Sequence, residues 1–421
     1  MGMAILGWML AGAVLAMLTF MLTHRRRTPY LHLQLDKLPC LRESIQALAG
    51  LTGGAVYQGN RCSVLQNGAL FPAMIADIQA ARHTVHLETF VWTAGDVERQ
   101  FVEALCSKVS QGVKVRLLID ALGGSGATRG QLQKLRDAGV ELAEYCSPAW
   151  WNLHRFNHRT HRKLLIVDGA VGYTFGHGIA DQWLGDGEDK EHWRDTAVRL
   201  EGPVVSALQS VFMENWIEET CCLPAGDGCY PPPAPIEGGV AAHVVSSASE
   251  EVGSKVALLY TVAIASARKE VIVQNPYFAP DDGVCELFGK MVERGVAVHL
   301  MVPGKKTDSP FVRVAGSHLY QSLLEAGVRV YEFQPTLLHQ KVVIVDRIWS
   351  HVGSTNFDAR SLALNEEIGV GILDERTAEE LREAFEADLR RSSELQLDRW
   401  RRRPLLTRGY SWLAYQLHSQ L

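Results

Sequence analysis

Residues 161–168 read His-Arg-Lys-Leu-Leu-Ile-Val-Asp, and residues 339–346 read His-Gln-Lys-Val-Val-Ile-Val-Asp. The shared pattern is His-x-Lys-x4-Asp, carried by His161, Lys163 and Asp168 in one copy and by His339, Lys341 and Asp346 in the other. The two histidines stand 178 residues apart in a chain of 421. A single three-residue pattern proves little. Two copies, each around an apolar run, point to a duplicated domain with one catalytic set per half. The runs 164–167 and 342–345 are short, uncharged and rich in β-branched residues, as buried strands are. Alternate side chains of a strand share a face, so His161 projects with Lys163 and His339 with Lys341. Asp168 and Asp346 fall at the strand ends. They complete the candidate catalytic set, with orienting or holding the local structure as their expected role. The second copy runs on into Gly353-Ser354-Thr355-Asn356. Its backbone N–H, hydroxyl and amide donors suit a phosphate oxygen.

Other segments repeat in the same order. Residues 76–88 (ADIQAARHTVHLE) parallel 262–274 (VAIASARKEVIVQ), each reading as a helix feeding a strand. Residues 112–119 parallel 295–302, and Ala138-Gly139-Val140 parallels Ala326-Gly327-Val328, a helix-capping glycine followed by a strand. Preserved order implies tandem duplication. Strands alternating with helices imply an α/β protein with a largely parallel sheet covered on both faces. The Pro/Gly-rich stretch 223–239 separates the halves. The expected organisation is an anchor with its basic flank at 1–27, a connector at 28–59, lobes at 60–222 and 240–398, and a tail at 399–421.

The chain resembles the phospholipase D superfamily, and within it the bacterial cardiolipin synthases. The resemblance runs from about residue 53 to residue 404, through HRKLLIVDGAVGYTFGHGIADQW, HWRDTAVRLEGP and HQKVVIVDRIWSHVGSTNFDARSLALNEE. The second motif is complete, with Asn365 and Glu367 in its downstream Asn-x-Glu. The first departs from the family at Phe175-Gly176-His177-Gly178, where Gly178 replaces an asparagine. Either His177 or a backbone N–H would have to substitute. The resemblance implies two α/β/α lobes about a pseudo-twofold axis, with both His-Lys pairs in one cleft. Ser354, Asn356, Asn365, Glu367 and Asp195 join the expected site, Ser354 and Asn356 on the phosphate. Asp195 and Glu367 are placed to hydrogen-bond the histidines and set their tautomers.

Two histidines suit covalent phosphoryl transfer. One imidazole attacks phosphorus, while the other protonates the leaving alcohol and later deprotonates the incoming one. Lysines offset the charge on the equatorial oxygens, so the scheme calls for no metal and no cofactor. The eight cysteines fit no common zinc spacing. A formal net charge of −5 gives no global attraction to nucleic acid. A nuclease would also want a basic groove with stacking aromatics. The nearest approach to one is Trp150-Trp151 beside His154, Arg155, His158 and Arg159.

Residues 3–23 carry no charged side chain and precede His24-Arg25-Arg26-Arg27. A helix of that length spans a bilayer core. The arginines put the following domain in the cytoplasm, and the resemblance implies that the membrane is a bacterial inner membrane. At the other end, Arg399 to Arg403 precede a stripe of Leu406, Tyr410, Leu413, Leu417 and Leu421, widened by Leu405 and Trp412. Basic residues beside an apolar face read as a helix lying on an anionic membrane surface; docking on the protein's own core is the alternative. The expected partners are thus phospholipid substrates and that surface. No feature of the chain specifies an oligomeric state. The leading expectation is phosphatidyl transfer to phosphatidylglycerol, making cardiolipin. A hydrolytic phospholipase D and a nuclease or other phosphodiesterase are the alternatives.

Overall fold

A computed structural model describes residues 7–8, 12, 33–147, 158–226, 229–232, 234–248 and 254–418. All but residues 7, 8 and 12 of the expected anchor, and the pair Trp150-Trp151, lie outside them. Among the described residues no helix is long and apolar enough to cross a membrane.

The first half supplies strands β1 (Tyr57–Gln66), β2 (Thr84–Thr89), β3 (Lys114–Asp120), β4 (Glu141–Tyr145), β5 (Leu164–Val167), β6 (Val171–Phe175) and β7 (Thr196–Glu201). The second supplies β8 (Val240–Ser247), β9 (Glu270–Gln274), β10 (Phe278–Ala279), β11 (Ala297–Pro303), β12 (Arg329–Phe333), β13 (Val342–Val345), β14 (Trp349–Gly353), β15 (Phe357–Asp358), β16 (Glu367–Leu373) and β17 (Ser392–Glu394). Fifteen of these form one sheet, ordered β17-β12-β11-β9-β13-β14-β16-β8-β1-β7-β6-β5-β2-β3-β4. Without β17 the order reads alike from both ends: β8 matches β1, β16 matches β7, and so on outward. The junction is the antiparallel pair β1–β8, so the halves are two lobes of a single continuous sheet.

The expectation of a largely parallel sheet needs correction. Only β2–β3, β3–β4, β9–β11 and β11–β12 are parallel within this sheet. The motif strands run the other way: β5 lies antiparallel to β2 and β6, and β13 to β9 and β14. The cause is local. Only residues 168–170 and 346–348 join each motif strand to the next, and a parallel crossover needs a dozen or more. The glycine caps follow the expected pattern. Gly139 and Gly327 have φ of 94° and 89°, a conformation that side chains with a Cβ resist. Each is followed by a 3.0 Å bond, Val140 N to Leu135 O and Val328 N to Leu323 O, that closes the helix and launches the next strand.

Every residue of β5 and β13 is buried, which explains their lack of charge. One apolar core joins Leu164, Ile166, Val198 and Phe212 of the first lobe to Val342, Ile344, Val370 and Phe385 of the second. Buried ion pairs also cross between lobes. Arg162 meets Glu366 at 2.9 Å and Arg194 meets Asp388 at 2.9 Å.

The C-terminal tail docks on the protein along one face and leaves the other exposed. Helix Leu405–Tyr415 buries Ser411, Ala414 and Tyr415 on the protein, and the Tyr415 hydroxyl donates to Pro280 O at 2.9 Å. Leu405, Leu406, Tyr410, Trp412 and Leu413 all remain more than half exposed. Leu421 lies outside the described residues.

Candidate active site

Two short backbone contacts between the lobes build the site. Thr160 bridges Glu366, and Arg194 bridges Leu338, both in parallel sense. His161 N donates to Glu366 O at 2.8 Å, and His339 N donates to Arg194 O at 2.7 Å. Each motif histidine is thereby laid against the segment that enters β16 or β7 of the other lobe, Glu366 one residue before β16 and Arg194 two before β7. The next residue along is a carboxylate in both cases: Glu367 beside His161, Asp195 beside His339.

His161 Nδ1 lies 2.9 Å from Glu367 Oε1, and His339 Nδ1 lies 2.7 Å from Asp195 Oδ2. A carboxylate at Nδ1 fixes the proton there and leaves Nε2 as the free nitrogen. The carboxylate therefore comes from the opposite motif each time. Lys163 Nζ donates to His161 O at 2.8 Å, and Lys341 Nζ to His339 O at 2.6 Å. Lys341 also lies 2.8 Å from His339 Nδ1. That nitrogen's proton already goes to Asp195, so the ammonium's acceptors are the carbonyl and the unprotonated Nε2, which lies 3.1 Å away.

Burial governs the charges. It pulls His161 and His339 down to about 4, against the opposing pull of Glu367 and Asp195, and the nearby lysines lower them further. Burial likewise lowers Lys163 to about 7 and Lys341 to about 8. It would raise Asp195 too, but His177, His339 and Lys341 together hold that carboxyl well below its usual range. Glu367 is likewise held low, burial being outweighed by His161, Lys163 and Ser354. Lys341 acts on both His161 and Lys163, so the two half-sites share one electrostatic environment. An anionic phosphate entering it favours the protonated form of all four basic groups.

Several expected site residues sit elsewhere or do something else. Asp168 and Asp346 do not join the histidines. They lie in the hairpin turns beyond β5 and β13, where Asp168 accepts from Arg82, His83 and Thr84 N, and Asp346 from Arg268, Lys269 and Glu270 N. Three backbone donors occupy each carboxylate, which braces a helix-to-strand turn. Ser354 is fully buried, donates to Glu367 and accepts from Ile368 N at 3.0 Å, so its hydroxyl is committed to the carboxylate and not to phosphate. Asp195 and Glu367 hold imidazoles, which gives neither of them a substrate contact. Asn356 keeps its Nδ2 3.2 Å from Ser361 Oγ, and its buried Oδ1 has no protein donor. The Asn365 Oδ1 is buried in the same condition. His177 does not replace a motif asparagine: its Nε2 lies 2.9 Å from the Asn67 carbonyl and the ring is fully buried.

Sequence reading missed the aromatic surroundings. Trp183, Trp193 and Tyr277 place their rings 5.3, 5.5 and 6.3 Å from the His339 ring, whereas Phe90 stands 5.4 Å from His161. Asp308, bonded by the Tyr277 hydroxyl at 2.6 Å, adds negative charge near His339 and Lys341. Trp183 and Trp193 stand within the quoted motif segments and could have been singled out there. Tyr277 and Asp308 lie 62 and 31 residues before His339, with no spacing signal to link them. Among the described residues, no group of three or more His, Cys, Asp or Glu side chains is placed to hold a metal ion.

The family model described as "Cardiolipin synthase, PLD-like domain" matches residues 74–203 and again 260–389. Cardiolipin synthase A of Pseudomonas entomophila is 34% identical over 356 residues, covering 84% of this chain and 73% of that protein. Cardiolipin synthase A of Pseudomonas aeruginosa is 35% identical over 355 residues, covering 84% and 71%. Among solved structures, phosphatidylserine synthase of Haemophilus influenzae superposes with a TM-score of 0.69 at 12% identity, over 90% of this chain and all of that one. Polyphosphate kinase of Porphyromonas gingivalis superposes at 0.54 and 11% identity, over 94% and 56%. At such identities the superpositions speak for the fold alone.

Proposed function

The chain belongs to the phospholipase D-like family of cardiolipin synthases, and we propose that it is a phosphatidyltransferase that makes cardiolipin from phosphatidylglycerol and a phosphatidyl donor. The observation that carries this reading is the pair of imidazoles, each held at Nδ1 by a carboxylate of the other lobe. Such a pair supplies a nucleophile and a proton shuttle in one cleft.

His161 Nε2 attacks the donor phosphorus. The bond from phosphorus to the headgroup oxygen breaks, and His339 gives its proton to that oxygen. The headgroup alcohol leaves, and the phosphatidyl group remains on His161. His339, now neutral, takes the proton of a phosphatidylglycerol hydroxyl. The resulting oxygen attacks phosphorus and breaks the bond to His161. The resting His339 is neutral at pH 7, so it takes its first proton from solvent as the anionic substrate binds and raises its basicity. Lys163, Lys341 and Asn356 face the non-bridging oxygens, and Glu367 and Asp195 keep the two rings in one tautomer. We assign the nucleophile to His161 because, among the described residues, Phe90 alone places a ring against it, leaving space for a bulky phosphatidyl group. His339 is enclosed by three rings, which suits a group that only moves protons.

The lipid reading extends to the chain ends. The uncharged run at residues 3–23 serves as a single-pass anchor in a bacterial inner membrane, with the catalytic lobes cytoplasmic. The exposed Leu405, Leu406, Tyr410, Trp412 and Leu413, beside Arg402 and Arg408, lie on an anionic lipid surface. Tyr415 moors this helix to Pro280, three residues past the Tyr277 that flanks His339.

Purified enzyme in vesicles with and without phosphatidylglycerol, read by mass spectrometry, tests the assignment. Cardiolipin should form only when phosphatidylglycerol is present. Phosphatidic acid as the sole product in both would make the enzyme a hydrolase.

A further inference from the structure

The two motifs share a 178-residue offset that the strand pairing keeps in register past the hairpins. The bridge Trp92–Ile179 in the first lobe matches the pair Phe278–Phe357 in the second. That offset sets Gly176 against Ser354, Gly178 against Asn356 and Trp183 against Ser361. In the second motif Ser354 donates to Glu367, the carboxylate that holds His161. The first motif has no side chain at the matching position. Instead Trp183 Nε1 donates at 3.0 Å to Asp195 Oδ2, the oxygen that also receives His339 Nδ1 at 2.7 Å. The glycines fit this substitution. A Cβ on Gly176 would collide with Asp195 Oδ1, and one on Gly178 would stand 2.9 Å from Trp183 Cζ3 and 2.6 Å from Val91 Cβ.

We propose that Trp183 is the positioning residue of the His339 half-site, doing for Asp195 what Ser354 does for Glu367, and that Gly178 leaves the space its indole requires while Gly176 leaves the space the Asp195 carboxylate requires. The missing asparagine is then part of a compensated exchange and not a decayed site. The indole N–H draws charge from the Asp195 carboxylate, so His339 is oriented without becoming so basic that it holds its proton. The other groups facing His339 are Lys341 on its own motif and Tyr277 and Asp308 on the second-lobe rim. Behind Asp195 stands His177, whose Nδ1 is 3.9 Å from Oδ2, with Arg194 beside it.

The proposal rests on the proton-shuttle role given to His339, and the test separates the two. Trp183→Phe keeps a ring and loses the N–H. Turnover should fall about 10- to 100-fold with KM within about twofold. The limb of the pH–rate profile that reports His339 should move to higher pH by about half a unit to one unit. Trp92→Phe is the matched control. It also loses a buried indole N–H, 3.1 Å from Glu98 Oε1, and should leave the profile in place. If His339→Ala abolishes transfer while Trp183→Phe behaves like Trp92→Phe, this proposal fails and the mechanism stands. If His339→Ala keeps its activity, the mechanism itself fails. Should Trp183→Phe not fold, the intact indole gives the answer. With isotope-labelled indole nitrogens, one N–H resonance should titrate with His339, vanish as a titration in His339→Ala and persist in Trp193→Phe. No such resonance, or one lost with Trp193, overturns the proposal.

Discussion

The His161 and His339 half-sites share a backbone plan and differ in what surrounds the ring. Both histidines enter on a cross-lobe bridge, and both give Nδ1 to a carboxylate of the opposite lobe. Around His161 the carboxylate is the longer Glu367, the second donor is a hydroxyl, and among the described residues one phenyl ring flanks the imidazole. Around His339 the carboxylate is the shorter Asp195, the second donor is an indole, and three aromatic rings enclose the imidazole. Duplication gave two equivalent histidines; the side chains packed beside them made the jobs unequal. Asymmetry is useful here, because a double displacement needs one group that bonds to phosphorus and one that only carries a proton.

Removing either ring should cause the largest loss. His161→Ala and His339→Ala should each lower transfer by at least about 10³-fold with the fold retained by circular dichroism. Acid quench after brief exposure to labelled phospholipid should leave label on the peptide containing His161. Label on the His339 peptide alone would exchange the two roles. The carboxylates should come next. Glu367→Gln and Asp195→Asn remove the charge that fixes each tautomer, and each should lower turnover by about 10²- to 10⁴-fold. Wild-type rates in either variant would show that the Nδ1 contact does not set the ring.

The smallest effect concerns stability. His86, His161, His243 and His339 are lowered to about 4 and His351 to about 3, burial being the main cause in each. Below pH 6.5 the unfolded chain binds protons that these folded histidines refuse. Stability is therefore full above about pH 6.5 and is lost as pH falls toward 4. The melting temperature should drop by roughly 10 °C between pH 7 and pH 4.5. Restoring part of that drop with His243→Gln, which lies outside the cleft, would assign it to buried imidazoles; an unchanged drop in both His243→Gln and His351→Gln would assign it to carboxylates.

Much of this molecule is legible residue by residue. The motif strands, the capping Gly139 and Gly327 and the pairing of His with Lys on one strand face follow from short-range pattern. Strand direction was misread because βαβ alternation in the outer strands was extended to hairpins whose three-residue turns forbid it. The bracing role expected of Asp168 and Asp346 matches their backbone N–H partners, whereas the role of Ser354 differs from expectation for another reason. Its partner is Glu367 Oε2 on a different element, and spacing along the chain does not encode where a side chain's acceptor lies. Trp183 stayed unseen because an indole and a hydroxyl have little in common except the one donor hydrogen that matters here.

The exchange of carboxylates between lobes has a consequence for ancestry. A single lobe holds a histidine without its carboxylate and a carboxylate without its histidine, so alone it is chemically mute. The antiparallel β1–β8 seam is a strand meeting its own counterpart, as occurs when two identical subunits associate about a twofold axis. A half-length chain of this plan completes its two sites only as a pair, and joining both copies in one chain lets them differ in chemistry.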